Sequence, residues 1–167
     1  MVDKILSPHY TLYQLTQTNR AEFQERNRML TLAEIGKLGL VANLLEECRQ
    51  ILSCELDIHS GYRCPELNTA VGSTDRSQHP KCEAVDFSPH GPDNEVTIKA
   101  AFGRIIHAAT QGNFPRWGQL IAENQATRFG DRKFWLHISL GEPYREEKRL
   151  GQVLVTRDGV YTHLARV

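Results

Sequence analysis

Two histidines and one aspartate stand out by type and setting: His79 and Asp86 within "SQHPKCEAVD", and His137 within "FWLHISL". Neutral imidazole and carboxylate are good zinc ligands, and three of them with a fourth position open to water suit a catalytic site better than a structural one. Pro80 separates His79 from Asp86 and argues against one continuous helix, so the two side chains would have to converge through a loop that runs into a strand "AVDF". In that strand Val85 and Phe87 face one way and Asp86 the other, and a carboxylate is costly to bury there unless it is paired or bound to metal. Phe134, Leu136, Ile138 and Leu140 alternate with Trp135, His137 and Ser139, which puts His137 on a face separate from the main apolar side. Taken singly, Asp86 also fits a hydrogen-bonded surface turn and His137 a packing histidine. What favours a metal is the set, carried on different strands.

The elements that must bring these residues together are legible to differing degrees. Thr31 followed by Glu34 is a capping-box start, and after it Leu32, Ile35, Leu38, Val41, Leu45 and Cys48 recur at helical spacing, with Leu44 beside them. This stripe is wide enough to lie on a sheet. Gly36 and Gly39 fall inside the helix and suggest close packing there, since each costs about 1 kcal/mol against alanine. Before it, the stretch around Asn19, Arg20, Glu22, Glu25, Arg26 and Arg28 reads as solvated helix or turn. After it come a strand "ELDIHS", a helical turn opened by Pro65, the strand "EAVDFS" and a second amphipathic helix "VTIKAAFGRIIHAAT". Two strands, "WGQLIAE" and "RKFWLHISLG", follow, and the tail fits a hairpin turning at "RDG". The order of elements indicates an α+β domain.

Composition narrows the partners. The 167 residues carry 20 basic and 20 acidic side chains, so no long-range field gathers nucleic acid or an anionic membrane. A nuclease with the same ligands is disfavoured further by the lack of a basic stripe and of an acidic cluster for two hard cations. No stretch is apolar enough to cross a bilayer, and "MVDKILSPHY" lacks the apolar core of a secretory signal, so synthesis in a cytosol is expected. Cys48, Cys54, Cys64 and Cys82 match no paired zinc pattern and are expected as free thiols, with a Cys64–Cys82 pairing left open.

"SGYRCPELNTAVG", "SQHPKCEAVDF", "QLIAE" and "WLHISL", in this order, resemble the zinc D-alanyl-D-alanine peptidases of the M15 class, especially small members from bacteriophages and bacteria. The resemblance spans roughly residues 30–141. It implies a Hedgehog/D-Ala-D-Ala-peptidase-like α+β fold, with a central, mostly antiparallel sheet packed by helices. The chain length suits one domain over 1–167, in which 1–29 would be an N-terminal extension to the region of resemblance and 142–167 a hairpin-like tail. Zinc (Zn2+) would be held by His79, Asp86 and His137. The partner would be peptidoglycan or a D-Ala-containing peptide, met by a phage-associated protein or one acting at the cell wall after release.

The same resemblance implies roles around the metal. Arg63 of "SGYR" would pair with the substrate carboxylate or the developing oxyanion, as a permanently charged planar guanidinium can; a structural salt bridge is the alternative. Ser77, a substrate-binding candidate beside Arg63, would also orient the ligand loop, and Tyr62 and Asn68 would shape the neighbouring turn. Many relatives carry an acid three residues before the last histidine, where this chain has Phe134. Resemblance to the small members, in which the strand matching "QLIAE" supplies the acid from beside the last histidine's strand, implies Glu123 as general base, with Asp131 the fallback. Cys82 stands where the pattern has glycine, which raises the prospect of a strained loop or a thiol competing at the metal. Phe134 and Cys82 together keep open a rival reading, a zinc-containing or wall-binding virion module without turnover.

Overall fold

In the computed structural model, which describes residues 3–92, 94–141 and 150–167, two long helices lie against a mixed sheet. A short helix α1 (Leu12–Thr16) precedes α2 (Leu32–Leu52), β1 (Leu56–Ser60), α3 (Pro65–Ala70) and β2 (Ala84–Pro89). Then come α4 (Glu95–Thr110), β3 (Trp117–Ala126), β4 (Arg132–Leu140), β5 (Gln152–Arg157) and β6 (Val160–Arg166). Residues 142–149, the first part of the expected tail, lie outside the described residues. The described strands form one six-stranded sheet in the order β1-β2-β4-β3-β5-β6. Every pairing is antiparallel except β3 with β5. The fold is α+β, as the order of elements indicated.

Local chemistry sets the helix ends. The Thr31 hydroxyl accepts from the Glu34 amide at 3.3 Å while the Glu34 carboxylate accepts from the Thr31 amide at 2.7 Å, satisfying two otherwise orphaned donors. At the other end Ser53 takes the left-handed conformation (φ 54°) that closes many helices. The expected stripe is buried from Leu38 through Val41, Leu44 and Leu45 to Cys48, but Leu32 at its start is solvent-exposed. Gly36 and Gly39 do not mark close packing: a Cβ at either would meet nothing within 4 Å. In α4, which Asn94 caps by accepting from the Thr97 amide, Ile98, Ala101, Phe102 and Ile105 face inward.

Period-two alternation gives the sheet two different faces. Val85, Phe87, Leu120, Leu136 and Ile138 are fully buried and join α2 and α4 in one core cluster, which also takes Phe134 at its edge. The opposite face carries Asp86, His137, Trp135 and Glu123. Residues before α2 contribute to the same core cluster, which includes Tyr10 and Leu15. Asn27, fully buried, donates to the Thr16 and Tyr62 carbonyls and accepts from the Cys64 amide at 2.7 Å. That single side chain pins the "SGYR" loop to the N-terminal segment. All four cysteines are free.

Candidate metal centre

The register between β2 and β4 sets Asp86 directly opposite His137. The third residue arrives by a different route. After a turn closed by the Ser77 amide on the Thr74 carbonyl, the chain makes one 3-10 turn, His79–Lys81, with Pro80 at its start, where a missing amide hydrogen costs nothing. Cys82 ends that turn in the left-handed region (φ 59°), and its amide donates to the His79 carbonyl at 3.1 Å. This reversal sends the chain into β2 and leaves His79 over Asp86, with Nε2 3.3 Å from Asp86 Oδ2. On the other side His137 Nδ1 is 2.8 Å from Asp86 Oδ1.

One ligand atom from each of His79, Asp86 and His137 can be chosen so that all three lie within 4.8 Å of one another, and all three residues are buried. The donor set is two imidazole nitrogens and a carboxylate, which suits a borderline-soft divalent cation such as zinc. Each ring is also held from behind. His79 Nδ1 donates to the Gly61 carbonyl at 2.7 Å, leaving Nε2 to face the cluster. His137 Nε2 lies 3.2 Å from Gln78 Oε1, an acceptor that leaves Nδ1 for the cluster. Oxygen partners on the far nitrogens are the usual means of orienting metal-binding histidines, so the residues present fit a metal.

Electrostatics keep the carboxylate ionised. Burial alone would raise the Asp86 carboxyl, but in the metal-free chain a positive charge on His79, and the hydrogen bonds that His137 and His79 donate when both nitrogens of each ring carry a proton, outweigh it and hold the group well below the usual carboxylate range. Arg63 adds a further hydrogen bond: its Nη2 donates to Asp86 Oδ2 at 2.6 Å and its Nε to the Ser60 hydroxyl at 2.7 Å. Part of this guanidinium is thus occupied with the Asp86 carboxylate, although Arg63 still lines the cleft.

The cluster opens into a cleft of about 610 Å³ whose lining includes Arg63, Arg76, Glu123, Trp135, Thr156 and Tyr161. Glu123 lies two residues along β3 from Ile121, the partner of His137, and so shares a sheet face with His137 and Asp86. Burial pushes its carboxyl above the ordinary value, partly offset by a hydrogen bond from the Thr156 hydroxyl at 2.6 Å. Phe134 points to the core, on the face away from His137. Asp131 is exposed in the β3–β4 turn, where its carbonyl accepts from the Thr127 amide, and it does not line the cleft. The Ser77 hydroxyl accepts from the His79 amide at 3.4 Å, a long contact. Cys82 is fully buried in the core, its thiol pushed up to about 12 by desolvation, and it is not part of the ligand cluster.

A family model described as Peptidase M15 matches residues 12–114, more than half of the chain. The chain belongs to the peptidase M15 family. As an M15 member it is a metallopeptidase and its substrate is a peptide. No curated protein matches it. The matched segment contains His79 and Asp86, whereas Glu123 and His137 lie beyond it and join them only through the strand register. Gln78, Gly61 and Thr156 are contributors that the sequence did not reveal. Gln78 and Gly61 act through one acceptor oxygen each, which leaves no spacing signature, and Thr156 is one of several polar residues in a strand without a motif.

Proposed function

We propose that this M15 peptidase is a zinc enzyme that hydrolyses an amide bond in cell-wall peptides containing D-amino acids, as a D,D-carboxypeptidase or a peptidoglycan endopeptidase. The observation that carries the reading is the buried His79, Asp86 and His137 cluster at the floor of a cleft that also contains the half-buried carboxyl of Glu123. Zinc held by the three ligands would supply Lewis-acid polarisation of the scissile carbonyl and acidify the attacking water. Glu123 takes the proton from that water and delivers it to the leaving amine. Its raised carboxyl suits a group that must both accept and release a proton. Arg63 keeps Asp86 in place through Nη2, and its remaining N–H groups serve the charge that develops on the substrate. Peptidoglycan specificity rests on the resemblance of the "SGYR", "SQHPKCEAVDF" and "WLHISL" blocks to the D-alanyl-D-alanine peptidases.

The rival reading, a module without turnover, drew on Phe134 and Cys82. Both side chains belong to the core, and neither intrudes on the cleft. The deciding experiment incubates the zinc-loaded protein with purified peptidoglycan and with short D-Ala-D-Ala peptides and reads the products by mass spectrometry. Cleavage is expected for the wild type and should be lost in Glu123→Ala with zinc content unchanged, and in His137→Ala together with zinc. A wild type that holds zinc but leaves every fragment intact would overturn the enzymatic reading. Loss of one terminal residue identifies a carboxypeptidase, and release of larger fragments an endopeptidase.

A further inference from the structure

Strand register organises the cleft floor into two rows. In one, Asp86 pairs with His137, His137 with Ile121, and Ile121 with Leu154, running from β2 through β4 and β3 to β5. In the other, Trp135 pairs with Glu123 across β4 and β3, and Thr156 pairs with Tyr161 across β5 and β6. The parallel pairing of Ala122 with Val155 brings the two halves of this second row together, because it sets Thr156 beside Glu123. Both residues line the cleft. Thr156 is 5% exposed, and its hydroxyl donates to Glu123 Oε2 at 2.6 Å, in the range of charge-assisted O–H···O bonds.

A glutamate has three side-chain torsions, the last of them broad, and an untethered carboxylate samples many positions. A hydroxyl has a single proton, so the bond to Oε2 fixes one oxygen and leaves Oε1 available. We propose that Thr156 is a positioning residue that holds the Glu123 carboxylate with one oxygen free for proton transfer, which makes β5 part of the catalytic apparatus. The inference rests on the reading of Glu123 as general base. It assigns a role to the strand beyond the segment matched by the family model. The other charged groups acting on Glu123 are His137 from β4, Asp86 from β2 and Arg63 from the loop after β1, while Tyr161 faces it from β6. None of them replaces the fixed hydroxyl bond.

The test compares Thr156→Val, Thr156→Ser and Glu123→Gln in the full chain. Each is measured for zinc content, for kcat and KM on the peptide that the wild type cleaves, and for the pH profile of kcat. The Glu123 carboxyl is also titrated by carbon NMR in the metal-free proteins, a readout independent of turnover. Thr156→Val should keep its zinc and a KM within about two-fold, while kcat falls about ten- to hundred-fold, the effect of losing one hydrogen bond to a charged group. Because the hydroxyl bond favours the ionised carboxylate, its loss should move both the acid limb of kcat and the NMR titration to higher pH, and Thr156→Ser should restore both. A valine variant with wild-type kcat and an unmoved Glu123 titration, alongside an inactive Glu123→Gln, would overturn the role of Thr156 while leaving the base assignment intact. An active Glu123→Gln would overturn the base assignment and the proposal with it.

Discussion

Asp86 is the residue on which the site converges: His79, His137 and Arg63 all contact its two oxygens. Its sequence setting, a carboxylate alternating with Val85 and Phe87, marked it as a residue that burial alone could not explain. The identity of its partners was less accessible, because Arg63 reaches it only through the irregular register that sets Ser60 opposite Asp86. A carboxyl depressed in the folded state contributes stability above its unfolded pKa, near about 3.9, and loses that contribution as pH falls through the lower folded value. The metal-free chain should therefore weaken as pH drops below about 4. Asp86→Asn should flatten that part of the profile and cost about 3 kcal/mol at neutral pH, since it leaves the Arg63 guanidinium facing an amide. Urea midpoints across the acid range check this. An unchanged acid slope in the variant would show that other carboxylates carry the dependence.

Among the elements, the loop between β1 and α3 is the one whose position decides the geometry of the proposed metal site. Gly61 lies where the chain passes against α1: a Cβ there would press into the Leu15 carbonyl, which already accepts from the Tyr62 amide at 2.8 Å. The Gly61 carbonyl in turn holds His79 by Nδ1. Gly61→Ala must therefore push the loop from α1 and carry the acceptor away from the imidazole. The expected result is a loss of stability of about 1–3 kcal/mol and metal affinity lowered about ten-fold or more, measured by competition with a chelator. Unaltered affinity in a destabilised variant would mean that His79 is oriented by its own 3-10 turn instead. Elements with strong local signals, such as the capping box of α2 and the alternation in β2 and β4, were legible in the sequence. Gly36 and Gly39 misled because a helical glycine suggests a neighbour without revealing whether one is present. Gly61 carried no such hint, since its constraint comes from a segment far away in the chain.

At the scale of the whole molecule, the feature hardest to read was the parallel pairing of β5 with β3. The apolar residues in "QVLVTR" identify a strand and "RDG" its hairpin with β6, but nothing local says which edge of the sheet receives the pair. The structure places it where β3 would otherwise be an open edge, next to the proposed base. Val153 is 1% exposed and Leu154 7%, so the strand buries apolar surface as well as backbone. Burying two such side chains is worth roughly 3–6 kcal/mol, a large part of the 5–15 kcal/mol that typically separates folded from unfolded states. A chain ending at residue 141 would keep all three proposed metal ligands and Glu123, yet lose that burial and expose the β3 backbone to edge-on association. It should melt at a markedly lower temperature, self-associate in sedimentation, and lose peptide cleavage more completely than its capacity for metal. If instead it remains a monomer with the full chain's melting temperature, β5 and β6 contribute nothing to the core, and their contact with Glu123 must be judged by catalysis alone.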